Sequence, residues 1–124
     1  MKMLIVDDSK AMRTFLHHIA TELSFTTEEA EDGRVGLHKF LKNDPSDPFA
    51  VALVDWDMPV MNGLELVQTL RRNQDFSNVK LMMVTTQNTP ERVAAALEAG
   101  ADDFLMKPVT KESLEEKLQI LGVV

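Results

Sequence analysis

Cysteine is absent from this 124-residue sequence. The chain therefore has neither disulfide bonds nor thiolate metal ligands, which fits a reducing compartment. No apolar run approaches the roughly 18 residues that a membrane-spanning helix needs. Acidic residues interrupt the N-terminal apolar run at Asp7 and Asp8, too early for a signal peptide. We therefore expect a soluble, cytoplasmic protein without a membrane anchor.

Positive charge is also scarce. The sequence has 13 Lys and Arg residues against 20 Asp and Glu residues, and its net charge is -7. Nucleic-acid-binding proteins concentrate positive charge, so this composition argues against a nucleic-acid partner. A surplus of carboxylates instead suits a site that binds a cation. The length fits one domain, 1–124, with enough apolar residues for a core.

Short apolar runs alternate with segments of helical periodicity along the whole chain. The predicted strands are 2–6, 25–30, 50–54, 79–84 and 103–106, and each is followed by a predicted helix. This alternation predicts an α/β protein with a parallel sheet and helices on both faces. Glu28 and Glu29 lie in the second run, as is typical of an edge strand. Right-handed crossovers would place the carboxyl ends of all strands at one edge.

Several residues predict where the helices begin and end. Ser9, Thr89 and Thr110 are expected N-caps, and Asn62 has the capping-box spacing to Glu65. Gly100 is expected to end the fourth helix and the Arg71-Arg72 pair the third. Apolar residues at helical spacing mark the first two helices, and the methionines within strand runs are expected in the core. The helix residues are Met12, Phe15, Leu16, Ile19 and Leu23, then Val35, Leu37, Phe40 and Leu41, and the methionines are Met3, Met82, Met83 and Met106.

Polar residues follow four of the predicted strands, where the strands end. They are Asp7 and Asp8, Asp55 and Asp57, Thr85, and Lys107. Clustered carboxylates repel one another unless some are protonated or a cation lies among them. Oxygen ligands alone favour Mg²⁺, for which Mn²⁺ can substitute. A carboxylate nucleophile, a metal, an ammonium group and a hydroxyl donor together suit phosphoryl transfer through an aspartyl phosphate.

Four motifs carry a resemblance to a known family. They are Met3-Leu4-Ile5-Val6-Asp7-Asp8-Ser9, Asp55-Trp56-Asp57-Met58-Pro59-Val60-Met61-Asn62-Gly63, Val84-Thr85-Thr86 and Lys107-Pro108. With them the chain resembles the response-regulator receiver domains over essentially its whole length. Asp55-Trp56 and Gly63-Leu64-Glu65-Leu66 are most similar to the single-domain chemotaxis regulators. The resemblance implies a flavodoxin-like sheet of order 2-1-3-4-5 with five helices, an order the family shares with flavodoxin.

The resemblance also implies roles for individual residues. Asp55 would be the phosphoacceptor, and Thr85 and Lys107 would contact the phosphoryl group. The metal ligands would be Asp7, Asp8, Asp55 and the backbone carbonyl of Asp57. Thr85 and Phe104 would be the switch residues, and Phe104 lacks a hydroxyl, so a switch there would act by ring packing alone. Many relatives carry a neutral residue at Asp57, so its carboxylate is expected to affect the lifetime of the phosphoryl group.

The function implied is that of a two-component phosphorelay regulator. A sensor histidine kinase, CheA-like in a chemotaxis system, would donate the phosphoryl group. An output protein, such as the flagellar motor switch, would bind the fourth helix, fifth strand and fifth helix, roughly 89–121. The protein would be a monomer and would catalyse only its own phosphorylation and dephosphorylation.

Alternative functions remain open from the sequence. The chain could be a receiver domain from a larger regulator, a relay or phosphate sink, or a receiver that signals without phosphorylation. Asp55-Trp56-Asp57 also resembles the paired aspartates of haloacid-dehalogenase-type phosphatases. That motif belongs after the first strand, however, and Pro59 stands where Thr or Val is expected. This chain also offers no cap domain to enclose a substrate.

Overall fold

Strands and helices alternate along the chain in the computed structural model, which describes residues 1–124. The strands are β1 (Lys2–Val6), β2 (Thr26–Ala30), β3 (Phe49–Asp55), β4 (Lys80–Thr85) and β5 (Asp103–Met106). The helices are α1 (Lys10–Glu22), α2 (Gly33–Lys42), α3 (Gly63–Arg71), α4 (Pro90–Ala99) and α5 (Lys111–Ile120), with a short 3-10 helix at Gln74–Phe76. The predicted alternation is confirmed. None of these helices has the length and apolar character of a membrane-spanning helix.

All neighbouring strands are parallel, in the order β2-β1-β3-β4-β5. This order confirms both the expected topology and the edge position of β2. The register pairs Asp55 at the end of β3 with Val84, and Thr85 at the end of β4 with Met106. The carboxyl ends of the three strands are therefore level, and the residues that follow them can meet.

The sheet has an apolar core on each face, because side chains alternate along every strand. One core joins Leu4, Val6, Ala52, Val54, Leu81 and Met83 to α2, α3 and α4 through Phe40, Leu66, Val67, Leu70 and Ala96. The other joins Met3, Ile5, Val51, Leu53, Met82, Val84 and Leu105 to α1 and α5 through Leu16, Ile19, Ala20, Leu114 and Leu118. The central strands are thus buried on both faces, as their continuous apolar runs indicated.

The predicted helix ends are confirmed. The side chains of Ser9, Thr89 and Thr110 accept hydrogen bonds from backbone N–H groups in the first turns of α1, α4 and α5. Asn62 and Glu65 form a reciprocal capping box, with bonds of 2.9 and 3.1 Å. Gly100 ends α4 with φ of +107°, in the left-handed region where glycine is favoured.

Three apolar residues of the predicted helices and strands are exposed. The exposed fractions are 45% for Phe15 on α1, 59% for Leu41 on α2 and 36% for Met106 on β5. The expected core position was wrong for Met106, which lies at the end of β5 on the opposite face from Leu105. On a helix, adjacent apolar residues have nearly the same periodicity, and only packing decides which of the two is covered.

Val60 has a strained backbone in the loop between β3 and α3. Its φ is +69°, which is unfavourable for a β-branched residue, and its side chain is 74% exposed. We expect Val60→Asn to raise the free energy of unfolding by about 1 kcal/mol, because asparagine tolerates this region and little burial is lost. Urea denaturation measures the change. Val60→Ala is the matched control, since it keeps the Cβ and should gain less. An asparagine variant no more stable than wild type would contradict this.

Candidate functional site

Asp55 is the last residue of β3 and is 5% exposed. The start of α3 approaches it closely because residue 63 is glycine. A Cβ at Gly63 would clash with the carbonyl oxygen of Asp55 and lie 2.9 Å from the Cα of Trp56. The Gly63 N–H donates a hydrogen bond of 2.9 Å to the Trp56 carbonyl. The Asn62-Gly63 pair therefore both caps α3 and allows it to pack against the end of β3.

Asp55 lies in a cluster with Asp7 and Asp8, which follow β1. One carboxylate oxygen from each residue lies within 4.8 Å of the others. Asp7 is buried and accepts a hydrogen bond of 2.9 Å from the Ser9 N–H, whereas Asp8 is exposed. We call Asp7, Asp8 and Asp55 the acidic cluster. Its oxygen-only donors at this spacing fit a hard divalent cation.

Lys107 reaches the acidic cluster from the end of β5. Its Nζ is 3.2 Å from Oδ1 of Asp55 and 3.5 Å from Oδ2 of Asp7. The Lys107 N–H donates to the Thr85 carbonyl at 2.9 Å, and the Lys107–Pro108 peptide bond is cis. Lysine and acids that are 100 and 52 positions apart in the sequence are thus in contact.

The charges of the site are not balanced. Burial, followed by the Asp7 charge, raises the pKa of Asp55 to about 6, although Lys107 opposes the shift. Burial disfavours the Lys107 ammonium, but the charges of Asp55 and Asp7 outweigh it and raise the pKa of Lys107. Three carboxylates with one ammonium group leave an excess of negative charge, which a bound cation would neutralise.

Thr85 ends β4 and is 1% exposed. Its hydroxyl oxygen accepts hydrogen bonds from the Gln87 N–H at 3.1 Å and from Nη1 of Arg92 at 3.4 Å. The structure therefore places Thr85 on the strand next to Asp55, as predicted, but its contacts include a residue that sequence reasoning missed.

That residue is Arg92, on the first turn of α4. Its guanidinium forms an ion pair with the Asp57 carboxylate and lies over the Trp56 ring. The Asp57 side chain is 60% exposed and is not part of the acidic cluster, so only its backbone carbonyl remains a predicted metal ligand. The pairing joins positions 35 apart, and nothing in the sequence near either residue indicates it.

The response regulator receiver domain family matches residues 3–119. This chain belongs to that family. The receiver domain is 35% identical to chemotaxis protein CheY1 of Helicobacter pylori over 121 residues, covering 98% of this chain and 96% of that protein. It is 39% identical to the CheY homolog of Campylobacter jejuni over 124 residues, covering 98% and 93%.

Solved structures agree with the sequence comparison. The chemotaxis response regulator CheY4 of Vibrio cholerae has the same fold with a TM-score of 0.88, at 34% identity over 97% of each chain. The receiver domain is thus homologous to chemotaxis response regulators, which is consistent with a role in two-component phosphorelay signalling. This confirms the resemblance found in the motifs and argues against the haloacid-dehalogenase-type phosphatase. Proteins of this kind are signalling proteins rather than enzymes with a separate substrate.

Phe104 is the remaining predicted residue of the receiver domain. It lies on β5, half-buried, with its ring centroid 6.3 Å from that of Trp56. Together with Val93, Leu97 and Met106 it lines a cavity between α4 and α5. A change in the packing of this ring would therefore alter the surface formed by α4, β5 and α5.

Proposed function

We propose that this receiver domain is a phosphorylation-dependent response regulator in which Asp55 accepts a phosphoryl group from a histidine kinase. One observation carries the proposal: the buried Asp55 carboxylate touches Lys107 and shares a cluster with two further carboxylates. A single buried acid could be structural. Three acids and a lysine, brought together by three separate segments, suit binding of a metal and a phosphoryl group.

Asp55, Lys107 and Thr85 have different roles in the transfer. A carboxylate oxygen of Asp55 attacks the phosphorus of a phosphohistidine, the phosphorus–nitrogen bond breaks, and the histidine nitrogen of the kinase leaves. Lys107, already 3.2 Å from Asp55, offsets the charge of the product. Thr85 donates its hydroxyl hydrogen to a phosphoryl oxygen. The product is an aspartyl phosphate on the central strand of the sheet.

Magnesium is the expected cofactor, and Mn²⁺ can substitute. Asp7, Asp8, Asp55 and the backbone carbonyl of Asp57 would hold it. When bound, it would neutralise negative charge on the carboxylates and on the phosphoryl oxygens. The fit rests on the spacing of the acidic cluster and on its excess negative charge.

Magnesium binding should depend on pH. Since the pKa of Asp55 is raised to about 6 without metal, protons compete with the cation below that pH. We expect the Mg²⁺ affinity to be constant above pH 7 and to fall by up to about tenfold per unit below pH 6. Titration of the fluorescence of Trp56, which follows Asp55, measures it between pH 5 and 8. Asp55→Asn should lose this dependence. Equal wild-type affinity at pH 5 and 8 would mean that Asp55 is not an ionised ligand.

Phosphorylation would then change an output surface. The new charge draws Thr85 and Lys107 toward Asp55 and changes the packing of Phe104 against Trp56. The proposed donor is a CheA-like sensor histidine kinase, and the proposed reader is an output protein that binds α4, β5 and α5, such as the flagellar motor switch. We propose that residues 1–124 act as one receiver domain, monomeric and cytoplasmic.

Incubation with a phosphodonor tests the function directly. Acetyl phosphate and Mg²⁺ should add one phosphoryl group per chain, detected by intact mass, and EDTA should prevent it. A generic phosphate ester should not be turned over continuously. Continuous turnover would indicate a phosphatase, and no adduct would indicate a receiver that signals by binding alone. A pull-down with the beryllofluoride complex, compared with Asp55→Ala, would then identify the output partner.

A further inference from the structure

Arg92 connects α4 to the two residues that follow Asp55 and to the end of β4. Its Nη2 and Nη1 donate to the two carboxylate oxygens of Asp57, at 3.0 and 3.3 Å. Its Cζ lies 4.4 Å from the centre of the Trp56 ring. Its Nη1 is also 3.4 Å from the Thr85 hydroxyl oxygen. Arginine's planar fork fits a carboxylate and stacks on an indole, so these contacts reinforce one another.

The pair with Asp57 alters the electrostatics of phosphoryl transfer. Asp57 lies two positions after Asp55, outside the acidic cluster, and its carboxylate pairs with Arg92. A phosphodonor is itself negatively charged, and each unpaired carboxylate near Asp55 repels it. The Arg92 side chain is 22% exposed and the Asp57 side chain 60% exposed, so solvent screens their pair only in part. Arg92 therefore neutralises a charge that would oppose transfer.

The contact with Thr85 fixes the direction of a hydrogen bond. A hydroxyl offers one donor and two acceptor positions. In Thr85 the Gln87 N–H and Nη1 of Arg92 both donate to the oxygen. The Thr85 O–H is then free to donate a hydrogen bond to a phosphoryl oxygen on Asp55.

We propose that Arg92 is a positioning residue for phosphorylation of Asp55. It acts through Asp57, whose charge it neutralises, and through Thr85, whose hydroxyl it orients as a donor. The proposal rests on the proposed function, and it extends the phosphorylation site to the first turn of α4. A partner that displaced Arg92 would therefore slow phosphorylation without touching the acidic cluster.

Phosphorylation kinetics test the proposal once the wild type has been shown to form its adduct. We expect Arg92→Met to lower the rate of phosphorylation by acetyl phosphate about tenfold. Arg92→Lys keeps the charge but loses the planar guanidinium, so its phosphorylation rate should lie between those of the wild type and Arg92→Met. Arg72→Met is the matched control, because Arg72 is exposed at the end of α3 and its loss changes the net charge equally. Wild-type rates in Arg92→Met would overturn the proposal while leaving the proposed function intact.

A double-mutant cycle separates positioning from a general structural role. In the Asp57→Asn background, Arg92→Met should cost only about twofold, since no charge is left to neutralise. Beryllofluoride affinity, measured by calorimetry, should follow the same pattern without any chemical step. The same tenfold cost in both backgrounds would overturn action through Asp57. A wild type that forms no adduct would instead refute the proposed function itself.

Discussion

Asp55→Asn is expected to abolish phosphorylation, with adduct formation from acetyl phosphate falling at least about 100-fold. Asparagine has nearly the same shape, so the packing at the end of β3 is preserved. Its amide oxygen carries no negative charge and cannot form the acyl phosphate. Intact mass after incubation with acetyl phosphate and Mg²⁺ measures the loss. Peptide mapping of the wild-type adduct should place the phosphoryl group on Asp55.

The loss can be separated from unfolding. The folded-state pKa of Asp55 is raised to about 6 from 3.8, so its neutral form stabilises the fold at low pH and this contribution is lost as pH rises through 6. At pH 7 without metal, Asp55→Asn should therefore unfold at the same temperature as wild type or higher. Asp75→Asn is the charge control, on the exposed 3-10 helix. If Asp55→Asn still formed the adduct, another carboxylate would be the phosphoacceptor.

Arg71→Met is expected to lower the free energy of unfolding by about 3 kcal/mol. Arg71 donates hydrogen bonds to the carbonyls of Gly100, Phe76 and Val79, at 2.8–2.9 Å. It also forms an ion pair of 2.8 Å with Asp102, which in turn accepts from the Leu81 N–H at 2.8 Å. Methionine keeps the apolar stem but leaves the three carbonyls without this donor and Asp102 without its ion-pair partner. Urea denaturation followed by circular dichroism measures the change.

Arg71 has a natural control in its neighbour. Arg72 is the C-cap of α3 and is exposed, so Arg72→Met should change the free energy of unfolding by less than about 0.5 kcal/mol. The sequence suggested one role for both residues, closing the end of α3. Equal effects of the two substitutions would support that simpler role and contradict the role of Arg71 in joining α3, the start of β4 and the end of α4.

The sequence determined the local structure well because the signals for it are local. The buried run 50–54 predicted β3, and Asn62 with Glu65 predicted the start of α3. In a parallel sheet the carboxyl ends of the strands share one edge, which also predicted that Asp7, Asp55 and Lys107 would lie close together. Family resemblance supplied the strand order, which the structure confirms, and the role of each site residue, which remains a proposal.

Tertiary structure alone decided the contacts between distant segments. The organisation of residues 55–63 was partly visible in sequence, from the acid at a strand end to the Asn62 cap of α3. The close approach of α3 that Gly63 allows was visible only in the structure. The pairs that Arg92 forms with Asp57 and that Arg71 forms with Asp102 were not, since each joins segments about 30 positions apart or more. Long flexible side chains reach many partners, and no periodicity records which one they choose. Packing makes that choice, and here it places an arginine beside the proposed phosphorylation site.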